Sequence, residues 1–283
     1  MVADLAERFG AEWVVGGLTW ERRVVDPVPG PRHLHELRDA EPINDAVAWA
    51  GPDTTGPGGF HFAESRLSGV LDERVLLVDP WPGPSGVAAA LDDAARQLGA
   101  DLIALVDVGG DVLAEGHEPG LGSPLADSLV LAAGAHLQTP VVGAVWGAGC
   151  DGELTLDEVL ARIAALAAGE ALIGAWGTPP DLLPRLEAAI AAVPTEASAM
   201  AVACARGATG SAPIRHGART VPLSPVGGLT FVFDVAGALA CGAAPMAAWM
   251  RDAPSLEACE ALLAAEGIRS ELAYEREHGR PQD

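Results

Sequence analysis

Short apolar runs rich in Val, Ile and Leu alternate along this chain with longer, alanine-rich stretches whose apolar positions recur at helical spacing. A run of about four to eight β-branched residues buries itself as a strand, whereas an apolar stripe with a period near 3.6 buries one face of a helix. Chains patterned this way fold as βα units around a sheet. Residues 12–15, 74–78, 101–107, 141–146 and 171–175 read as the strands. Between them, Ser85 precedes the apolar run 87–98 and Gly99 ends it. Ser123 and Pro124 supply an N-cap and a first-turn proline for 125–137, and Thr155 with Glu158 matches a capping box for a helix to Ala168. These helices need do no more than cover the sheet.

Past Gly177 the order changes. Helical stretches 181–193 and 195–205 follow one another without a strand between them. A hairpin pairing 220–223 with 229–233 and turning at 224–228 comes next, then a polar helix from Ser255 to the acidic terminus. The glycine- and proline-rich segment 51–59 reads as a mobile loop. Residues 1–10 already read as a helix, so the chain starts without the strand and glycine turn that commonly build part of the crevice in a doubly wound fold. Either the protein manages without that element or its true start lies upstream of Met1. The expected architecture is a single α/β domain over 1–283: a Rossmann-like, mostly parallel sheet flanked by helices. Residues 1–177 form its βα core, and 178–283 form a C-terminal hairpin and helical cap.

Composition removes several functions. With 39 acidic and 17 basic residues the net charge is −22, which repels nucleic-acid phosphates and anionic membrane alike. All the basic residues are arginine. Without lysine there is no Walker A loop, no pyridoxal phosphate imine and no Schiff-base aldolase. Cys150, Cys204, Cys241 and Cys259 are widely spaced and suggest neither a zinc ribbon nor a disulfide framework. The sequence shows no signal peptide and no membrane-length apolar run, so a cytoplasmic protein is expected, with a homo-oligomer left open.

Four segments carry candidate chemistry. The strand ending in Asp107 is followed by Gly109, Gly110, Asp111, Glu115, Glu118, Ser123 and Asp127. In open α/β sheets ligands bind outside the carboxyl ends of strands, and adjacent glycines let backbone approach them. The carboxylates there suit a divalent cation, ligand hydroxyls or a crowded general base, or else a loop that caps its own helix. A second glycine-rich turn, Gly147, Gly149 and Gly152, spells a dinucleotide fingerprint, but the capping box starts the helix too late and no acid follows for a ribose. What it leaves is Gly149, Asp151 and Glu153 at the same edge, with Cys150 a packed thiol. Third, no acidic residue lies between Glu196 and Asp234, while Arg206, Arg215, His216 and Arg219 do. That stretch either clamps an anion or neutralises the acidic loops. Fourth, Trp20 and Arg22 follow the first strand and could stack on a planar ligand, or simply pack its end. His33, His35, His61, His136 and His278 join no constellation.

Gly-Gly-Leu-Thr-Trp-Glu-Arg at 16–22, Val-Asp-Val-Gly-Gly-Asp at 106–111, Glu-Pro-Gly-Leu-Gly-Ser-Pro-Leu-Ala-Asp at 118–127 and Asp-Gly-Glu-Leu-Thr at 151–155 resemble the domain-of-unknown-function 1152 family of archaea and bacteria. The similarity spans nearly the whole chain. It implies the fold and the site location but supplies no reaction or substrate. Members usually open with an extra strand and a Gly-Gly-Gly-Gly-Asp turn, which this sequence lacks.

The expected function is an enzyme of hydrolase or group-transfer type acting on a small polar, anionic metabolite at the carboxyl edge of the sheet. Asp107 and Asp111 would bind ligand hydroxyls or a divalent cation, and Glu118 or Asp127 would be the base. Gly109, Gly110, Ser123, Gly149, Asp151 and Glu153 would line the site, with Arg215 and Arg219 on the anion and Trp20 with Arg22 closing the pocket. The alternative is a non-catalytic metabolite-binding or assembly protein.

Overall fold

The computed structural model describes residues 10–193 and 195–278. The expected helix over 1–10 therefore lies almost entirely outside the described residues. The architecture is mixed α/β, and its sheets are mixed rather than uniformly parallel. The first sheet holds β1 (Gly16–Leu18), β2 (Glu41–Pro42), β3 (Val47–Ala50) and β4 (Val75–Val78), in the order β1-β4-β3-β2. Only β1 and β4 run parallel there. Helix α1 (Ala63–Leu71) precedes β4 and α2 (Gly83–Leu98) follows it.

The second sheet positions the site. It contains β5 (Ile103–Val108), β6 (Val141–Trp146) and β7 (Leu172–Gly177), with α3 (Pro124–Gly134) between the first two and α4 (Leu156–Ala168) between the last two. Strands β5 and β6 are parallel, with Asp107 opposite Val145, which makes β5–α3–β6 a genuine βαβ unit. Then α5 (Leu183–Ala192) and α6 (Glu196–Ala205) lead to a hairpin of β8 (Gly210–Ile214) and β9 (Arg219–Leu223). Strand β10 (Leu229–Phe233) enters between β6 and β7 and runs antiparallel to both. The chain finishes with α7 (Val235–Ala240), α8 (Pro245–Met250), α9 (Leu256–Ala265) and α10 (Glu271–His278). The main core runs through all of this: Leu125, Leu129, Leu131, Val145, Val159, Phe233, Met246, Met250 and Leu256 are buried in one cluster. Each such side chain contributes about 1.5–3 kcal/mol by leaving water. No helix among the described residues is long and apolar enough to cross a membrane.

Several expectations are corrected. The hairpin partner of 220–223 is 210–214, not 229–233. Ser224–Gly228 does not turn one strand back on another; it carries the chain from the hairpin into the large sheet. That passage is tight, because a Cβ on Gly227 would lie 2.8 Å from Cys204 Sγ and 2.9 Å from Cys150 Sγ. The first strand is Gly16–Leu18, later than the expected 12–15, of which only Val15 joins the pairing: its carbonyl accepts from the Leu76 amide, and beyond the strand the Thr19 amide donates to the Val78 carbonyl. The segment 51–59 is anchored: Thr54 is fully buried, its hydroxyl donates to the Asp39 carbonyl at 2.6 Å and accepts from the Gly51 amide at 2.9 Å. The helix expected from Ser255 to the terminus is broken into α9 and α10 around Gly267.

Candidate functional site

Strand β5 ends by delivering Asp107 to the sheet edge, and Gly109 and Gly110 then turn the chain into a short 3-10 helix, Asp111–Leu113. Gly109 has φ +134°, and a Cβ there would lie 2.3 Å from Asp151 Cγ. The space a side chain would take at Gly109 is thus the space the Asp151 carboxyl occupies. The Gly149 amide donates to the Gly109 carbonyl at 2.7 Å, which ties the glycine turn after β6 to the turn after β5. Thr155 then caps α4 in a capping box with Glu158, so the glycines at 147, 149 and 152 precede the helix and do not open it.

These two turns and the start of α3 bring acids together. Carboxylate oxygens of Asp107, Asp111 and Asp127 lie within 4.8 Å of one another, and so do those of Asp111, Asp151 and Glu153. Asp111 belongs to both sets. Burial is the leading cause of the perturbation this produces. It pushes Asp107 up to about 8, with help from the charge of Asp127. It raises Asp127 to about 7, aided by Glu271, and Asp151 to about 7, aided by Asp107 and Glu153. Asp111 is raised well above the carboxylate range by burial and then by all its acidic neighbours.

Glu153 behaves oppositely because of its partners. Burial opposes its ionisation, but the Gly122 amide, Arg215 and Ser123 outweigh that and hold its carboxyl below the usual value. Its Oε2 accepts from the Gly122 amide at 2.6 Å and the Ser123 amide at 2.9 Å. Its Oε1 accepts from Ser123 Oγ at 2.8 Å and Arg215 Nη2 at 2.6 Å. Asp151, two residues away, is 7% exposed and neither of its oxygens has a hydrogen-bond partner. The same loop thus holds one carboxylate saturated with donors and one with none.

Arg215 reaches Glu153 from the turn of the β8–β9 hairpin. Arg215 and His216 both sit at positive φ, +51° and +55°, a region that non-glycine residues occupy at a cost. The Arg215 amide donates to Glu196 Oε2 at 2.7 Å, which fixes the turn to the start of α6. Arg219 donates from Nη1 to the Gly152 carbonyl at 2.9 Å. Arg206, in contrast, is engaged by Glu187 on the outer surface.

Other predicted residues go elsewhere. Glu118 turns back into its own loop, where Oε1 accepts from the Glu115 amide at 2.7 Å and Oε2 from the Gly116 amide at 2.8 Å. Trp20 donates its indole N–H to Glu275 and, with Arg22 and Glu64, lines a separate cleft of about 260 Å³. Another cleft of about 240 Å³ is lined by Asp39, Glu41, Asp53, Trp49 and Arg74, the last two stacked on each other. Neither cleft includes the acidic cluster, in which Asp111, Asp151 and Glu153 are buried and Asp107 and Asp127 half-buried. His33 stacks on His35 and faces Asp79 at 3.0 Å.

One participant has no counterpart in the sequence reading. Glu271, at the start of α10, accepts the Leu125 amide at 3.0 Å and the Ala126 amide at 2.6 Å, capping α3 across the fold. Burial raises it to about 7. Nothing near it in sequence marks this role, because its partners lie 146 and 145 residues away.

The family model described as "Protein of unknown function (DUF1152)" matches residues 1–278. This chain belongs to the DUF1152 family. No curated protein and no solved structure matches it. The DUF1152 strings noted in the sequence map onto the turns just described: 106–111 carries Asp107 and Asp111, 118–127 carries Ser123 and Asp127, and 151–155 carries Asp151 and Glu153. The string at 16–22 forms β1 and the wall of the Trp20 cleft.

Proposed function

We propose that this DUF1152 protein is an enzyme of hydrolase or group-transfer type acting on a small polar metabolite that carries an anionic group. The carrying observation is the set of crowded acids, half-buried Asp107 and Asp127 and buried Asp151, whose proton affinities are displaced toward neutrality at one sheet edge. Groups tuned this way exchange protons readily at physiological pH, as acid–base catalysis requires. In this reading β5–α3–β6 is the Rossmann-like portion of the fold, and the metabolite lies against the rim formed by Gly122, Ser123 and Arg215. Arg215 is 45% exposed, which leaves part of its guanidinium accessible to an anion. Asp127 acts as the base, because both oxygens of Glu118 are already engaged by backbone amides. Asp107 and Asp111 orient ligand hydroxyls.

The test is turnover of a panel of sugar phosphates, nucleosides and amino-acid derivatives by the purified chain and by Asp127→Asn. Turnover lost in a folded Asp127→Asn variant supports the proposal. Tight binding of a panel member without turnover reassigns the protein as a metabolite-binding module.

A further inference from the structure

We infer that the buried acidic cluster is a binding site for one hard divalent cation, with Asp111 as the shared ligand and Asp151 beside it. This deepens the proposed function and rests on the same cluster, although cation binding does not require turnover. Acidic groups crowd together on many surfaces without an ion, so proximity alone decides nothing. The deciding observation is Asp151. It is 7% exposed, and both its oxygens are buried without a hydrogen-bond donor. Its carboxylate lies within 4.8 Å of those of Asp111 and Glu153.

An unpartnered buried carboxylate is costly, and it persists where something else completes its shell. The neighbouring side-chain donors are already committed, and the Glu153 and Asp151 amides act on the Asp151 charge without closing a hydrogen bond to it. Arg215 and both amides at 122 and 123 go to Glu153, the Ser123 hydroxyl goes to Glu153 at 2.8 Å and only distantly to Asp111 at 3.5 Å, and the Gly110 amide goes to Asp107 at 2.7 Å. The side chains that remain around Asp151 are acidic: Asp111 and Glu153 in its own set, with Asp107 and Asp127 in the second set that shares Asp111. An all-oxygen, anionic, closely spaced donor set suits Mg²⁺, Mn²⁺ or Ca²⁺ rather than a softer metal. Gly109 belongs to the same construction, since any side chain there would expel the Asp151 carboxyl.

The experiment is Mn²⁺ titration of chelator-treated, refolding-competent chain, followed by calorimetry and by loss of the free-ion EPR signal. One Mn²⁺ per chain is expected, with affinity falling at least about tenfold in Asp151→Asn and in Asp111→Asn. Mn²⁺ should raise the thermal midpoint of the parent chain and raise that of Asp151→Asn less at the same Mn²⁺ concentration. Glu64→Gln, in the separate cleft, should bind as the parent does. Absence of Mn²⁺ binding up to millimolar concentration by chain with a native far-UV spectrum overturns the inference. So does binding that both variants leave undiminished. Mn²⁺ bound without turnover supports the cation site and discards the enzyme. Turnover by chain that binds no Mn²⁺ keeps the enzyme and discards the cation site.

Discussion

Asp151 and Glu153 stand two residues apart in the same buried loop, yet neutralising them should move stability in opposite directions. Asp151 is raised from 3.8 to about 7 by burial and by its acidic neighbours. At about 1.36 kcal/mol per pKa unit, its ionised form costs the folded, cation-free state about 4 kcal/mol at the most. An asparagine in its place would remove that charge but leave a buried amide short of partners, returning about 1–3 kcal/mol of the gain. Asp151→Asn is therefore expected to stabilise the chelated protein by about 2 kcal/mol at pH 8. Because the folded value is raised, the penalty is complete above about pH 7 and vanishes below the unfolded value near 3.8, so the gain should shrink as the pH falls from 8 toward 4. Glu153→Gln presents the reverse case. Its carboxylate accepts four hydrogen bonds, one from a guanidinium, and its value is lowered despite burial. A glutamine amide can accept from the two rigid backbone N–H groups only by turning its NH₂ toward Arg215, which loses a charge-assisted bond. Allowing for the half-exposed Arg215, the expected loss is about 1–3 kcal/mol. Urea unfolding at pH 8 in the presence of EDTA measures both. If the two variants shift the midpoint in the same direction, the contrast drawn between a saturated and an unpartnered carboxylate is wrong.

Gly109→Ala should destabilise the chain by about 1–3 kcal/mol, since φ +134° is unfavourable for alanine and the new methyl would strike Asp151; thermal melts would register it, and an unchanged midpoint would contradict the geometry. Glu271→Ala should strip the cap from α3 and speed amide exchange most at Leu125 and Ala126, a pattern that hydrogen-exchange mass spectrometry resolves from global loosening. Thr155→Ala removes the hydroxyl that caps α4 and should cost about 1 kcal/mol in the same unfolding assay. Glu64 is raised from 4.5 to about 7 by burial, so Glu64→Gln should gain about 2 kcal/mol at pH 8 and nothing near pH 4; equal effects at both would refute it.

Much of the local structure was readable because its causes are local. Thr155 with Glu158 caps the helix that starts at Leu156, and Pro124 opens the other at its first turn, although Ser123 stands at that N-cap without capping it because its hydroxyl donates to Glu153. The carboxyl-edge rule led to Asp107, Asp111, Asp127, Asp151 and Glu153, and charge counting led to Arg215 and Arg219. The pairing of strands was not readable in this way. An apolar run such as 229–233 states that it wants burial on both faces, but not that it will slot antiparallel between β6 and β7. Glu118 illustrates a different limit: its place among the carboxylates after β5 suits a crowded base, while its own loop offers its carboxylate the amides of Glu115 and Gly116 nearer at hand. Trp20 was assigned to the acids by its position after a strand, and the structure sends it to Glu275 on another helix. Glu271 was missed because capping at such separation leaves no trace in a sequence window.

The dependence of α3 on Glu271 orders events during synthesis. A ribosome that has released everything up to α9 has made Asp107, Asp111, Asp127, Asp151 and Arg215, yet the helix bearing Asp127 still lacks its cap. Truncated products that end in the loop after Ala265 would carry every acid of the cluster without the carboxylate that holds the start of α3, so the scaffold of Asp127 is complete only once Glu271 has emerged.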